Sequence, residues 1–176
     1  MILIILKAEI EHLEGIYSTF LFQVRANGYN ILSTINRDII GKILTLGHKV
    51  GLHFYVSHIK ENDWENLEYE LCKQKEILNF EIDIDIDRFS FHRPPAWVLE
   101  RRDNYICNMI NMYGKNFFEF SDIPKQIKYI ADSDHTFKYG HPMDDLPFKR
   151  IQILLHPDEW SNDGLDSKHN FFLLEK

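Results

Sequence analysis

Residues 36–55 read Asn36-Arg-Asp-Ile-Ile-Gly-Lys-Ile-Leu-Thr-Leu-Gly-His-Lys-Val-Gly-Leu-His-Phe-Tyr55. Asn36 is a fair N-cap for a helix through Leu46, and Gly47 suits the C-cap. Lys49 to Tyr55 then reads as a strand. A helix that hands the chain to a short apolar strand through one glycine is a unit of the α/β class, and the same alternation continues on both sides.

Toward the N-terminus, Ile16 to Val24 is rich in β-branched and aromatic residues and reads as a strand. Ile2 to Glu14 before it reads as a helix ended by Gly15, with Ile2, Leu6, Ile10 and Leu13 spaced to share one face. Its apolar start is too short to span a bilayer and lacks the basic region and cleavage site of a secretory signal. Toward the C-terminus, a polar amphipathic helix is expected from Asn62 to Leu78. Glu81-Ile-Asp-Ile-Asp-Ile-Asp87 alternates with period two and predicts a strand, with Asp83, Asp85 and Asp87 on one solvated face. It runs into Arg88-Phe-Ser-Phe-His92 and stops at Pro94-Pro95. Tyr105 to Tyr113 reads as a helix, Ile127 to Ile130 and Arg150 to Leu155 as short strands, and Asp134 to Phe148 as a loop. No repeat or linker interrupts the chain, so one domain over residues 1–176 is expected, with a parallel sheet or barrel.

The 176 residues are 44% hydrophobic and 14% aromatic, enough for a packed core. A net charge of −7 excludes a general nucleic-acid footprint and leaves neutral or cationic partners easier to accommodate. The two cysteines, Cys72 and Cys107, form no CxxC pair and read as reduced, part-buried thiols of a cytoplasmic protein. There is no Gly-rich phosphate loop and no Gly-x-Ser-x-Gly elbow.

One pattern recurs: a short apolar run ends in a residue able to bind a metal or move a proton. The runs end at His53, His92, Asp132 and His156. In α/β barrels and open parallel sheets the site lies at the C-terminal strand ends, so these residues are expected at one mouth. A single histidine after a strand is more often a hydrogen-bonded structural group; the repetition is what points to function.

The same places carry a family resemblance. Gly47-His-Lys-Val-Gly-Leu-His53 resembles the "GHEIGxH" segment of polysaccharide deacetylases, the NodB-homology family. Phe91-His-Arg-Pro-Pro95 is similar to its Arg-x-Pro motif, and Tyr129-Ile-Ala-Asp-Ser133 takes the place of its fourth motif. Ile153-Leu-Leu-His-Pro157, followed by Trp160, resembles its last motif. The His-Arg-Pro and Leu-His-Pro-x-x-Trp forms are most like the branch found near bacterial surface-polysaccharide genes. The resemblance covers about Ile10 to Trp160. It implies an incomplete or distorted (β/α) barrel that holds a divalent metal, zinc by preference, and removes N-acetyl groups from a polysaccharide or glycan precursor. On that scheme His53 is a metal ligand, with His58 or His92 as a second; His53 and His58 are separated by four residues where the family has three. His156 is the general acid, Arg93 orients a carboxylate, and Asp132 supports the site or binds substrate. Trp160 and Tyr129 face the sugar.

The family also places Asp-Asp or Asp-x-Asp at the end of a first strand, and this chain is expected to lack that strand. A wrong start site, a broken gene and a non-catalytic relative all fit that expectation, so a carbohydrate-binding relative and an inactive remnant stand beside the enzyme. His12, His48, His135, His141 and His169 carry no spacing argument and are expected at the surface. Trp64 and Trp97 are expected to pack in the core or at its rim.

Overall fold

A computed structural model describes residues 2–26, 28–117, 127–133, 136–137, 140–144, 148 and 150–156. The chain divides into two compact units, Met1–Lys115 and Asn116–Lys176. The first opens with α1 (Ile2–Leu13) and continues through β1 (Thr19–Phe22), α2 (Thr34–Thr45), β2 (Lys49–Tyr55) and α3 (Trp64–Ile82). It ends with β3 (Arg88–His92), α4 (Ala96–Glu100) and the strands β4 (Tyr105–Ile106) and β5 (Met109–Asn111). The sheet order is β1-β2-β3-β5-β4, parallel except for the antiparallel β4–β5 pair. The second unit pairs β6 (Ile127–Ala131) in parallel with β7 (Arg150–Leu154), from Ile127 opposite Arg150 to Ala131 opposite Leu154. The expected α/β class and its parallel sheet are therefore present.

Consecutive strands β1, β2 and β3 lie side by side in chain order. Right-handed crossovers then place α2 and α3 on one face, and α2 packs against both α1 and α3. That face is the core. Phe20, Phe22, Val50, Leu52, Phe54, Phe89 and Phe91 are buried there with Ile40 and Ile43 of α2 and Leu67, Leu71 and Leu78 of α3. Each such side chain stabilises the fold by about 1.5–3 kcal/mol. α1 turns a different side inward from the one its leucines mark. Ala8 is buried, whereas Leu6, Ile10 and Leu13 are exposed.

Capping explains the helix ends. Ser33, rather than Asn36, caps α2, its hydroxyl oxygen accepting from the Asn36 N–H at 3.4 Å. Gly47 takes φ +88 after the helix, as expected, and a Cβ there would also lie 2.9 Å from the Tyr17 ring.

Four expectations need correction. The strand over Glu81–Asp87 does not form. α3 runs on to Ile82 because Leu67, Leu71, Leu78 and Ile82 keep helical spacing, and Asp83 ends it with φ 58. Asn79 then holds the connecting loop, accepting from the Ile86 N–H at 2.8 Å and donating to Asp85 at 3.0 Å. The three acids have separate tasks: Asp83 is the cap residue, Asp85 pairs with Lys75 at 3.0 Å, and Asp87 grips Arg88 with both oxygens at 2.6 and 2.9 Å. Lys75 holds the Asp85 carboxyl below the usual carboxylate range, and Arg88 does the same for Asp87.

The helix over Tyr105–Tyr113 is instead the β4–β5 hairpin. Cys107 and Asn108 at its tip have φ 51 and 56, the two left-handed residues of a tight hairpin turn. Cys-Asn carries no glycine to mark such a turn in sequence. Cys107 is also bonded to Cys72 of α3, with Cα atoms 5.5 Å apart, so the reduced-thiol reading is corrected. Lastly, His48 is buried at 2% exposure rather than at the surface. The Ser18 N–H donates to its Nδ1 at 3.1 Å, which leaves Nε2 as the N–H that donates to the Ala8 carbonyl at 2.9 Å. His12 is exposed as expected, and so is His141. His135 and His169 lie outside the described residues.

Candidate functional site: two pairs at strand ends

The face of β1–β3 opposite the helices carries Thr19, Leu21, Gly51, His53, Tyr55, Arg88, Ser90 and His92, by strand alternation and register. Gly51 is required there. A Cβ would meet the Arg88 carbonyl, Arg88 Cγ and Leu21 Cδ2, each at 2.8 Å. Its absence lets Arg88 cross the sheet to donate to Thr19 Oγ1 at 3.2 Å.

The parallel strands bring His53, Tyr55 and His92 to one edge. Ser90, opposite His53, is small, and His53 reaches diagonally past it to His92. His53 Nε2 and His92 Nδ1 are 3.0 Å apart, with the rings edge to face at 4.9 Å. Tyr55, directly opposite His92, packs edge-on against that ring at 5.0 Å. One of the two facing nitrogens carries the shared proton.

Two imidazole nitrogens on one tetrahedral zinc lie about 3.3 Å apart, given bonds of about 2.0–2.1 Å. The His53–His92 spacing is close to that, so this pair fits two ligands of a zinc site. His58 is not brought to them. Its ring packs against Phe54, on the core face, and its Nε2 lies 3.9 Å from Glu70. Among the described residues there is no group of three His, Cys, Asp or Glu placed to hold an ion.

Arg93 follows His92 with φ 47 directly before Pro94, a combination that costs about 1–3 kcal/mol. Its side chain is exposed, and no carboxylate partner for it occurs among the described residues.

In the second unit, Asp132 follows β6 and His156 comes two residues after β7. Asp132 is 3% exposed. Its carboxylate accepts the His156 backbone N–H at 2.9 and 3.1 Å and pairs with the ring Nδ1 at 2.8 Å. This grip sets the ring's orientation and tautomer: Nδ1 carries the proton shared with Asp132, and Nε2 is the nitrogen left to exchange one. The His156 side chain is 35% exposed. Tyr129 lies half-buried on β6, across from Gln152. Trp160 lies outside the described residues. Trp64 and Trp97 pack edge to face at 4.8 Å beside the core, as expected.

Sequence reasoning thus found the members of both pairs. It missed the Gly51–Arg88–Thr19 crossing, for which the second glycine of Gly47-His-Lys-Val-Gly51 was the available signal. In comparisons with protein-family models, curated proteins and solved structures, nothing matches the chain.

Proposed function

We propose that the chain is a hydrolase of the polysaccharide deacetylase type, removing N-acetyl groups from a polysaccharide or glycan precursor with His156 as general acid. The observation that carries this reading is the grip of buried Asp132 on His156, through both its ring and its backbone. An imidazole oriented in this way, with one nitrogen free, is equipped to give a proton to a leaving amine.

His53 and His92 would supply two ligands for a divalent ion, zinc by the resemblance. When bound, such an ion polarises the amide oxygen and lowers the pKa of its water from 15.7 to about 7. Strand order β1-β2-β3 with helices on one face is how a (β/α) barrel begins, and an incomplete barrel of that kind belongs to the proposal. Arg93, Tyr129 and Trp160 keep the substrate-facing or orienting roles that the resemblance implies. Cys72–Cys107 favours an oxidising compartment over the cytoplasmic one expected from sequence; among the described residues no helix is long and apolar enough to cross a membrane.

A second reading, a non-catalytic carbohydrate-binding relative, is favoured by one observation. His53 and His92 hydrogen-bond to each other, and no third ligand accompanies them among the described residues. Acetate release from N-acetylated oligosaccharides, measured with zinc content for wild type, Asp132→Asn, His156→Ala and His53→Ala, separates the two. The enzyme predicts zinc binding that His53→Ala loses, and a fall of about 10²–10⁴ in rate for Asp132→Asn. Sugar binding without acetate release supports the second reading. Equal, negligible zinc in wild type and His53→Ala together with no acetate release removes the enzymatic one.

A further inference from the structure

We propose that Cys72–Cys107 is a reversible redox latch on the β4–β5 hairpin. Closed, it fastens the hairpin along β3. Opened by a dithiol, it lets the hairpin swing away and leaves β3, with His92 at its end, at the edge of the described sheet.

The hairpin is a small piece with its own wiring. β4 has two residues and β5 three, and a two-stranded hairpin of that size is marginal by itself. The segment from Arg101 to Lys115 closes on itself. Asn111 Nδ2 donates to the Asp103 carbonyl at 2.9 Å, Arg102 Nε to the Tyr113 carbonyl at 2.9 Å, and the Lys115 N–H to the Arg102 carbonyl at 3.3 Å. It is therefore built to move as one body. Its hold on β3 runs through the Ile110 N–H, which donates to the Asp87 carbonyl at 2.8 Å, and the Met112 N–H, which donates to the Phe89 carbonyl at 3.0 Å. The Tyr113 ring lies 6.1 Å from that of Phe91, the neighbour of His92. Ile106 and Met109 are buried in the core, so the hairpin has a seat to return to.

The bond is placed and strained as a latch should be. It grips the hairpin at its tip, where letting go acts on both strands at once. Cys107 is held there at φ 51, a left-handed backbone that a non-glycine residue leaves when nothing constrains it. Both cysteines are half-buried, within reach of a small reductant. Strained, reachable disulfides are the labile and regulatory kind. Arg101 ties the base of the segment to the same helix: it pairs with Glu68 and lies 5.2 Å over the Trp64 ring. The opened hairpin is thus still tethered beside α3. Cys107 Sγ is also 3.4 Å from the Glu68 carbonyl, an acceptor that keeps the freed thiol close to Cys72 for reoxidation.

Opening takes two exchange steps. A thiolate of the dithiol attacks one sulfur of the bond, forms a mixed disulfide with it and expels the other cysteine as a thiolate, which takes up a proton. The second thiol of the reductant then displaces the bound cysteine and closes the reductant's own disulfide. Two electrons pass from the dithiol to the cysteine pair, and two protons end on Cys72 and Cys107.

Dithiothreitol added to the full chain without denaturant tests this, with iodoacetamide alkylation to count thiols and amide exchange followed residue by residue by NMR. The expected result is two alkylated thiols in a chain that still unfolds cooperatively. Exchange at Ile110 and Met112 should accelerate at least about tenfold more than at Leu52 and Phe54 of β2, the sign of a local opening at the hairpin. The His92 ring signals should shift on opening, and those of His12 should not. Replacing dithiothreitol by oxidised glutathione should reverse both changes. Cys72→Ser/Cys107→Ser should exchange like the reduced chain and ignore dithiothreitol. None of these readouts needs a metal or a substrate, so they stand whether or not the chain is a hydrolase. A bond that resists dithiothreitol until urea is added overturns the proposal. So does equal acceleration across the hairpin and β2, since the bond then staples the whole unit, and so does a reduced chain whose His92 signals match those of the oxidised one.

Discussion

Breaking the Cys72–Cys107 bond should cost this chain about 4 kcal/mol. The bond joins α3 to the hairpin turn across a sequence separation of 35 residues. Closing a loop of that size removes entropy from the unfolded chain of about 2.1 + 1.5R ln 35, or about 13 cal/mol/K, which is about 4 kcal/mol at 25 °C. With a urea dependence of about 2 kcal/mol/M, the unfolding midpoint should fall by about 2 M on reduction. Cys72→Ala/Cys107→Ala should behave like the reduced chain. Cys107 has φ 51, so Cys72→Ala/Cys107→Gly should recover about 1 kcal/mol by relieving the left-handed strain that alanine retains. The assay is urea unfolding followed by circular dichroism, with and without reductant, beside thiol alkylation of the unfolded, unreduced chain read by mass spectrometry. Two alkylated thiols in the unreduced chain, or coincident midpoints with and without reductant, would refute the reasoning.

Three further outcomes are expected. His48→Ala removes the partners of the Ser18 N–H and the Ala8 carbonyl and opens a cavity at a buried site, so thermal or urea unfolding should show a loss of about 2–4 kcal/mol, while His12→Ala, at the surface, stays within about 0.5 kcal/mol. Gly51→Ala drives a methyl group to 2.8 Å from the Arg88 carbonyl and should destabilise by about 1–3 kcal/mol, with loss of amide-exchange protection at the β2–β3 pairing. Asp87→Asn tests a depressed carboxylate, whose folded pKa lies below its unfolded value. Its contribution is then present above the unfolded carboxylate pKa of about 3.9 and lost as pH falls through the folded one. The wild-type advantage should be under about 1 kcal/mol at pH 7, since the pair is solvent-screened, and should vanish in acid; an advantage that grows toward low pH contradicts the ion pair.

The resemblance and the geometry bear on different parts of the proposed activity. The motif order singled out Asp132 and His156 separately, and the folded chain gives them a joint role, with one buried carboxylate serving both the ring and the backbone of the histidine. His58 and His92 were alternatives as the second ligand beside His53; the 3.0 Å contact pairs His53 with His92, while His58 turns to Phe54 and Glu70.

Local chemistry determined whatever could be read within one turn or one strand. Gly15 and Gly47 end helices by taking a left-handed backbone, and Lys49 to Tyr55 forms a strand over the residues its composition marks. Tertiary structure decided the rest, because long-range packing outweighs a short pattern. Three alternating isoleucines after Glu81 yielded to a helix whose leucine stripe continued through Leu78 to Ile82. Cys-Asn became a hairpin turn because β5 pairs with β3 and Cys107 bonds to Cys72. His48 went inside because two backbone groups, forty and thirty residues away, needed its nitrogens. A sequence shows which side chains can do chemistry; only the packed chain shows which of them meet.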